Sequence, residues 1–303
     1  MRKHMIHKMT AIAILAVGSL VGCGGGGGSS GTTTKTGYFI DSAVEGLEYT
    51  CGSTSGITGA DGSFNYEEGK PVTFKIGSMT LGSLTVVNHK VFPVDLVSGA
   101  ADETDPKVSL MAQILQTLDS DGDASNGITI SQTTRRAITQ AIEVATADPS
   151  HTTLIINQLL GSATSDRTVG STNNLISATN ARSHLNSNLL KEFAGSWSGS
   201  FMGTDTGTCQ ATISQVGVIS GNCISTLAGN FTISGLLQSS GSWQSSGGGS
   251  STPSSNSSSS GTNGNGSAST GANFTGNYSR TGIASGNWTN TANYAGTWSM
   301  TKQ

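Results

Sequence analysis

The part of this 303-residue chain with the densest set of reactive side chains is an aspartate-rich stretch near its middle. Asp119, Asp121 and Asp123 alternate with small residues, and Asn126 follows shortly after them. Hard oxygen donors that alternate along a tight turn form the kind of ligand set that Ca²⁺ prefers. We therefore predict that these four residues are candidate calcium ligands, and the sequence indicates no cofactor that the protein requires.

This aspartate-rich stretch resembles the first half of an EF-hand calcium loop, with two departures. Ala124 stands where that loop has a glycine, and Ile130 stands where it has a bidentate acidic residue. A bound ion would need other oxygen atoms, so we expect weak binding suited to an extracellular protein. The alternative interpretation is a helix connection rich in Asp and Gly, in which Asp119 caps neighbouring backbone groups.

The catalytic motifs in the chain lack the surroundings that their chemistry needs. Ser299 and Lys302 have the spacing of an S-x-x-K motif, but they fall on a predicted strand and not on a helix. His89, His151 and His184 show neither the H-E-x-x-H pattern nor the cysteine spacing of a zinc site. We predict no catalytic residues and a protein that is not an enzyme.

Two of the four cysteines lie in a segment with the pattern of one β-hairpin. A three-residue loop that ends at Gly217 allows this glycine to take the left-handed conformation that such loops require. The resulting register places Cys209 directly opposite Cys223, close enough for a disulfide in an oxidising compartment. Cys51 then remains as a buried thiol.

The N-terminal residues have the features of an export signal that ends in a cysteine. A basic start precedes an apolar run at 9–21, and Leu20-Val21-Gly22-Cys23 ends the segment. These residues resemble a bacterial lipobox, which implies cleavage before Cys23 and a diacylglycerol on its thiol. The protein would then be held on a membrane of the bacterial cell envelope, and Gly24 favours the outer membrane or cell surface over the inner membrane. The alternative is an ordinary signal peptide with an incidental cysteine.

The charge of the chain and the periodicity of its apolar residues limit the classes of protein to which it can belong. The chain carries 15 basic and 18 acidic residues, and this mild acidity argues against nucleic acid, which needs a clustered basic face. Periodicity changes along the chain, from alternating apolar residues to helical stripes and then to repeated Gly-aromatic units. We predict a multidomain α+β protein with a signal peptide (1–22), a Gly/Ser/Thr tether (23–36), a small β-sandwich (37–90), a short helical bundle (91–192) and a C-terminal antiparallel β-meander or barrel of about eight strands (193–303) that contains a low-complexity loop (245–271).

Two stretches of the predicted sandwich carry a second resemblance. The sequences DSAVEGL, from Asp41, and TGADGSF, from Thr58, resemble the carboxypeptidase-regulatory or transthyretin-like β-sandwich module. The resemblance covers residues 37–90 and implies a non-catalytic spacer of the kind that recurs in bacterial surface proteins. In the C-terminal segment, the similar units that begin at Gly195 and Gly296 suggest that the first and last strands pair.

The sequence thus predicts a lipid-anchored envelope or cell-surface protein that acts as a non-catalytic binding, adhesion or structural module. The alternative is a carrier of a small apolar ligand in the C-terminal barrel, because eight-stranded barrels can enclose one. The tryptophans of this segment could either fill the interior or line a cavity. Whether the partner is a protein, a glycan or a small apolar ligand stays open.

Overall fold

A computed structural model describes residues 33–86, 88–147, 160–245, 265–266 and 272–303 of the protein. These residues belong to one compact unit, Thr33–Gln303. The predicted signal peptide, Cys23 and the tether up to Thr32 lie outside the described residues, as does most of the predicted loop at 245–271.

The N-terminal region is built from short strands in three small sheets. A three-stranded sheet has the order β5-β1-β8, a four-stranded sheet has the order β4-β3-β6-β7, and β2 pairs with β9. The strands are β1 (Thr34–Phe39), β2 (Val44–Glu45), β3 (Glu48–Cys51), β4 (Thr54–Ile57), β5 (Ser63–Glu67), β6 (Pro71–Ile76), β7 (Met79–Thr85), β8 (Lys90–Val91) and β9 (Ile128–Thr129).

Period-two patterns place one face of each strand in a common core. Leu47, Tyr49 and Cys51 are buried together, as their alternation predicts. The rings of Phe39 and Phe64, from the first sheet, each lie 4.9 Å from the ring of Phe74, from the second. Side chains from both sheets therefore fill one core.

The predicted tether (23–36) ends earlier than its composition indicates, because strand β1 begins at Thr34. Thr34 pairs with Glu67, and the Lys35 ammonium lies 2.6 Å from the Glu68 carboxylate. Thr is a residue that strands favour, and the backbone of β5 offers hydrogen-bond partners to these positions, so the strand extends into this stretch.

Helices follow in the described part of the chain, and two of them start at identifiable caps. The helices are α1 (Pro106–Thr117), α2 (Gln132–Ala147) and α3 (Ala178–Lys191), and residues 160–163 are also helical. Asp105 caps α1 ahead of Pro106, and Ser177 caps α3. In the described part of the chain, no helix combines the length and the apolar character that a membrane crossing requires.

The helices described within the predicted helical segment contribute to two cores, one among themselves and one shared with the N-terminal sheets, so the predicted bundle is present only in part. Leu115 and Leu118 of the first helical segment belong to the core of the N-terminal sheets. Val108 and Ala112, on the other side of α1, pack with Leu185 of α3. Because α1 is apolar on two sides, it lies between the sheets and α3, and it completes a core that small sheets cannot close alone.

The C-terminal region is a nearly closed, antiparallel, barrel-like sheet of eight main strands. Their order is β13-β12-β11-β10-β18-β17-β16-β14, and the two-residue β15 continues the sheet beside β14. The strands are β10 (Gly195–Gly203), β11 (Gly207–Ile213), β12 (Val218–Ser225), β13 (Gly229–Leu236), β14 (Ser242–Ser245), β15 (Asn265–Gly266), β16 (Asn273–Tyr278), β17 (Ile283–Thr289) and β18 (Ala295–Lys302). The first and last strands pair as the sequence suggests, with Phe201 opposite Trp298.

The repeated Gly-aromatic units alternate small and large residues inside this barrel. Gly276 faces Gly286 across neighbouring strands, and the Trp298 indole lies over both glycines. A Cβ at Gly286 would overlap the Thr275 carbonyl oxygen and approach Trp298 Nε1 to 2.7 Å. Glycine is therefore needed where the strands are closest and an indole fills the space.

Polar contacts hold the barrel against the N-terminal region. The Arg280 guanidinium pairs with both carboxylate oxygens of Asp95 and lies 4.9 Å from the centre of the Phe92 ring. The Lys90 ammonium lies 2.7 Å from the Glu192 carboxylate. A bidentate pair with a stacked guanidinium fixes orientation better than a simple ion pair does.

Candidate functional sites

The first predicted site residue, Asp119, lies directly after α1 and is buried. Its side chain is 1% exposed, and its Oδ1 accepts a hydrogen bond of 2.8 Å from the Thr129 amide. Its Oδ2 is also buried but has no hydrogen-bond partner in the described part of the chain. A buried carboxylate oxygen without a partner is costly, so this atom is a candidate ligand for a cation.

Asp121 and Asn126 lie together, whereas Asp123 has a local structural role. Asp121 accepts hydrogen bonds of 2.9 Å from the Asp123 amide and from the Asn126 side-chain nitrogen. Asp123 caps the short 3₁₀ turn Ala124–Asn126 by accepting from Ser125. Among the described residues, no three or more His, Cys, Asp or Glu side chains are grouped so that they could hold a metal ion. A calcium ion in this loop would therefore depend on amide, main-chain or water oxygens.

The two neighbouring carboxyl groups perturb each other. Burial is the main cause that raises the pKa of Asp119 to about 6, and contact with the Asp121 carboxyl group contributes to the same shift. The hydrogen bond from Asn126 lowers the pKa of Asp121, with smaller contributions from its other contacts, among them the charge of Arg167. The pKa values of the two neighbouring groups are thus shifted in opposite directions.

A second polar cluster joins the end of β1 to α1 and α3, and the sequence did not reveal it. His184 Nε2 lies 3.1 Å from Ser42 Oγ, 3.0 Å from Asn188 Nδ2 and 3.9 Å from Asp41 Oδ1. Asp41 is fully buried, its Oδ2 accepts a hydrogen bond of 3.0 Å from Gln116, and its Oδ1 has no hydrogen-bond partner in the described chain. Ser42 has a φ of 55°, an unusual value for a residue other than glycine.

The chemistry of this cluster differs from that of a catalytic triad, despite the presence of Ser, His and Asp. In a triad the serine and the carboxylate occupy opposite nitrogens of the imidazole. Here Ser42 and Asp41 both face Nε2 of His184. Burial raises the pKa of Asp41 to about 7 and lowers the pKa of His184, so both groups tend towards their neutral forms. The arrangement fits a buried polar contact that positions α3.

The predicted hairpin and its disulfide are confirmed. Cys209 is paired with Cys223 in register and bonded to it, and both are buried. Gly217 has a φ of 79°, as its place in the three-residue loop requires. Cys51 is a free, buried cysteine.

The interior of the barrel is filled by aromatic side chains. Their ring centres are separated by 4.9–6.4 Å, mostly in edge-on geometries. The rings belong to Trp197, Phe201, Phe231, Trp243, Phe274, Tyr278, Trp288 and Trp298. The indole nitrogens of Trp288 and Trp298 donate to main-chain oxygens two strands away, those of Met202 in β10 and Thr275 in β16, which fixes both rings.

The outer face of β10, β11 and β12 carries a polar trough of about 700 Å³. Two rows of three side chains cross the strands in register, because side chains directly opposite in antiparallel strands lie side by side. One row is Ser196, Thr212 and Ser220, and the other is Ser198, Gln210 and Asn222. All six side chains are uncharged and can donate and accept hydrogen bonds.

Comparison with known proteins found no match among family models, curated proteins or solved structures. Function must therefore be argued from the trough, the barrel interior and the two polar clusters.

Proposed function

We propose that the protein is a lipid-anchored, non-catalytic binding protein of the bacterial cell envelope, and that it binds its ligand in the outer trough of the barrel. The observation that carries this proposal is the composition of the trough. Six hydroxyl and amide side chains stand in two aligned rows, and none of the described residues that line the depression is charged. Such a surface suits a ligand that is itself uncharged and rich in hydroxyl groups, namely a neutral glycan.

A protein partner fits this surface less well. Protein interfaces are enriched in aromatic residues, Met and Arg at their centre. The one aromatic residue that lines the trough, Trp197, is 1% exposed because its ring points into the barrel. Ala211 and Ile233 also line the trough but are buried, so its exposed side chains are hydrogen-bonding groups, which favours a glycan over an apolar protein surface.

The second candidate function is the carriage of a small apolar ligand inside the barrel. The aromatic rings that occupy the interior weigh against it, because a ligand would have to displace buried contacts. Trp243 supplies the one observation in its favour, since its indole nitrogen is buried without a hydrogen-bond partner in the described part of the chain. A ligand with an acceptor group near this ring would satisfy that donor.

The envelope location is supported by two independent features. The sequence Leu20-Val21-Gly22-Cys23 supports a lipid on Cys23 and hence attachment to the outer membrane or cell surface. The Cys209–Cys223 disulfide fits an oxidising compartment outside the cytoplasm. The membrane is then a partner through the lipid alone.

An array of neutral and acidic glycans, probed with the purified chain, tests the trough. We expect binding to neutral glycans and a loss of at least about tenfold, roughly 1.4 kcal/mol, in Thr212→Lys and Ser220→Lys. Ser285→Lys, on the outer face of β17, is the matched control and should bind as the wild type does, because Ser285 is exposed but distant in strand order from the trough. Thermal unfolding of each variant confirms that it is folded.

Two results would reject this function. The first is an absence of neutral glycan binding, or equal binding by the wild type and both trough variants. The second is saturable quenching of tryptophan fluorescence by fatty acids, which would move the site to the barrel interior and favour the carrier.

A further inference from the structure

The inference concerns the loop between α1 and β9 and is independent of the trough. Asp119 Oδ2 is the atom that requires explanation, because it is buried and has no hydrogen-bond partner in the described chain. Its carboxyl group contacts that of Asp121. Two carboxylates in contact repel each other unless a proton or a cation lies between them.

The positively charged side chain nearby does not satisfy the buried oxygen of Asp119. The Arg167 guanidinium lies against Gly122 and contributes positive charge to Asp121. It does not supply a hydrogen bond to Asp119 Oδ2.

We propose that Asp119 and Asp121 bind one Ca²⁺ ion, with the side-chain oxygen of Asn126 and water among the remaining ligands. Asn126 is close to the pair, since its side-chain nitrogen lies 2.9 Å from Asp121 Oδ2, and a flip of its amide group would present the oxygen to the ion instead. Gly122, with a φ of 75°, allows the tight turn that brings these groups together. Asp123 is not a ligand, because it caps the following 3₁₀ turn.

The chemistry of the donors selects Ca²⁺ over Mg²⁺ and sets the strength of binding. Mg²⁺ demands a near-ideal octahedron and keeps its waters, whereas Ca²⁺ accepts an irregular set of oxygen ligands. Two carboxylates are fewer than an EF-hand provides, and Arg167 opposes the cation. We therefore expect a dissociation constant of about 0.1–1 mM, the range of extracellular calcium modules.

Calorimetry on the purified full chain, with CaCl₂ as the titrant at constant ionic strength, tests the site. The wild type should give saturable heats, and its Tm should rise with Ca²⁺ concentration because the ion binds only the folded state. Asp121→Asn should abolish both effects while it preserves the size of the side chain. Arg167→Gln should lower the dissociation constant, because it removes a positive charge beside the ion.

The controls separate a site in this loop from general screening by the divalent ion. Asp61→Asn removes one carboxylate from an exposed turn elsewhere, and its Ca²⁺ response should equal that of the wild type. A concentration of 10 mM Ca²⁺ is about ten times the upper end of the expected range of dissociation constants. The proposal fails if this concentration produces no heat and no Tm shift. It also fails if Asp121→Asn responds as the wild type does, or if Arg167→Gln leaves the affinity unchanged. None of these results bears on glycan binding in the trough.

Discussion

At the scale of single residues, Asp41 is the group whose ionisation is most opposed by the fold. It is fully buried, and one of its two carboxylate oxygens lacks a hydrogen-bond partner in the described chain. Burial therefore raises its pKa from 3.8 to about 7. Between these two values the folded state holds a proton that the unfolded chain has released, so stability falls as the pH rises through this window.

Asp41→Asn should remove this pH dependence. Asparagine keeps an oxygen that can accept the hydrogen bond from Gln116, but it never ionises. At pH 8 the variant should be more stable than the wild type, by up to the order of 4 kcal/mol for a shift of about three pKa units. At pH 4 the two proteins should be nearly equal. Urea unfolding at both pH values measures the difference.

His184 acts in the opposite direction, so the comparison between variant and wild type is essential. Burial lowers its pKa below 6.5, and the stability that it contributes as a neutral group is lost as the pH falls through its folded-state pKa. Burial is the largest cause of this shift and is common to both proteins, so most of the contribution cancels in their difference. A difference in stability that does not change between pH 4 and pH 8 would show that Asp41 does not titrate as argued.

The residue scale is also where sequence analysis was weakest. Ser42 and His184 are 142 positions apart, and neither carries a local pattern that marks it. The four candidate calcium ligands form a pattern that the sequence reveals because they are close together in the chain. Their roles nevertheless differ in the structure. Asp119 is buried and Asp123 is a cap, because the position of each side chain depends on where α1 ends and β9 begins.

At the scale of elements, prediction succeeded where the signal was local. The hairpin register follows from one glycine and from alternating apolar residues, and the structure reproduces it with Ile213 opposite Ile219. The start of α3 shows the limit of such patterns. Its apolar stripe extends back to Leu175, but Ser177 caps the helix and the Ile176 amide instead donates to Thr117.

The disulfide allows a test at this scale. The double substitution Cys209→Ser and Cys223→Ser should lower the free energy of unfolding by about 3 kcal/mol, because the closed loop is about 15 residues long. Dithiothreitol should destabilise the wild type by a similar amount and leave the double variant unaffected. Urea unfolding with and without reductant measures both effects.

Cys51→Ala provides the matched control for the reductant. Cys51 is a free thiol, so this variant should keep the full sensitivity to dithiothreitol although it loses buried volume. A wild-type protein that unfolds identically with and without reductant would contradict a stabilising role for the disulfide.

At the scale of the whole molecule, the predicted α+β composition holds, but the separation into sandwich and bundle is less clear in the structure. Periodicity changes at the sequence boundary near residue 90, whereas the hydrophobic core continues from the N-terminal sheets into α1 and α2. Sequence periodicity reports which face of an element is buried and not which element covers it. The contacts of Arg280 with Asp95 and Phe92, which connect regions 185 positions apart, were invisible for the same reason.

The proposed attachment of the whole molecule to a membrane rests on Cys23, and the other cysteines make a decisive test practical. Cys209 and Cys223 are bonded to each other, and Cys51 is 1% exposed. None of these three cysteines offers an accessible thiol to an acylating enzyme in the folded protein. Metabolic labelling with palmitate should therefore mark the wild type and Cys51→Ala equally, and Cys23→Ala should carry no label.

Fractionation of the same cells gives a second measurement. The wild type should partition with membranes, because two or more acyl chains anchor a protein stably where one chain gives only marginal binding. Cys23→Ala should move to the soluble fraction while its Tm stays unchanged, since Cys23 precedes the compact unit Thr33–Gln303. If palmitate labels Cys23→Ala, or if the unlabelled wild type is soluble, the segment before Cys23 is an ordinary signal peptide and the envelope anchor is excluded.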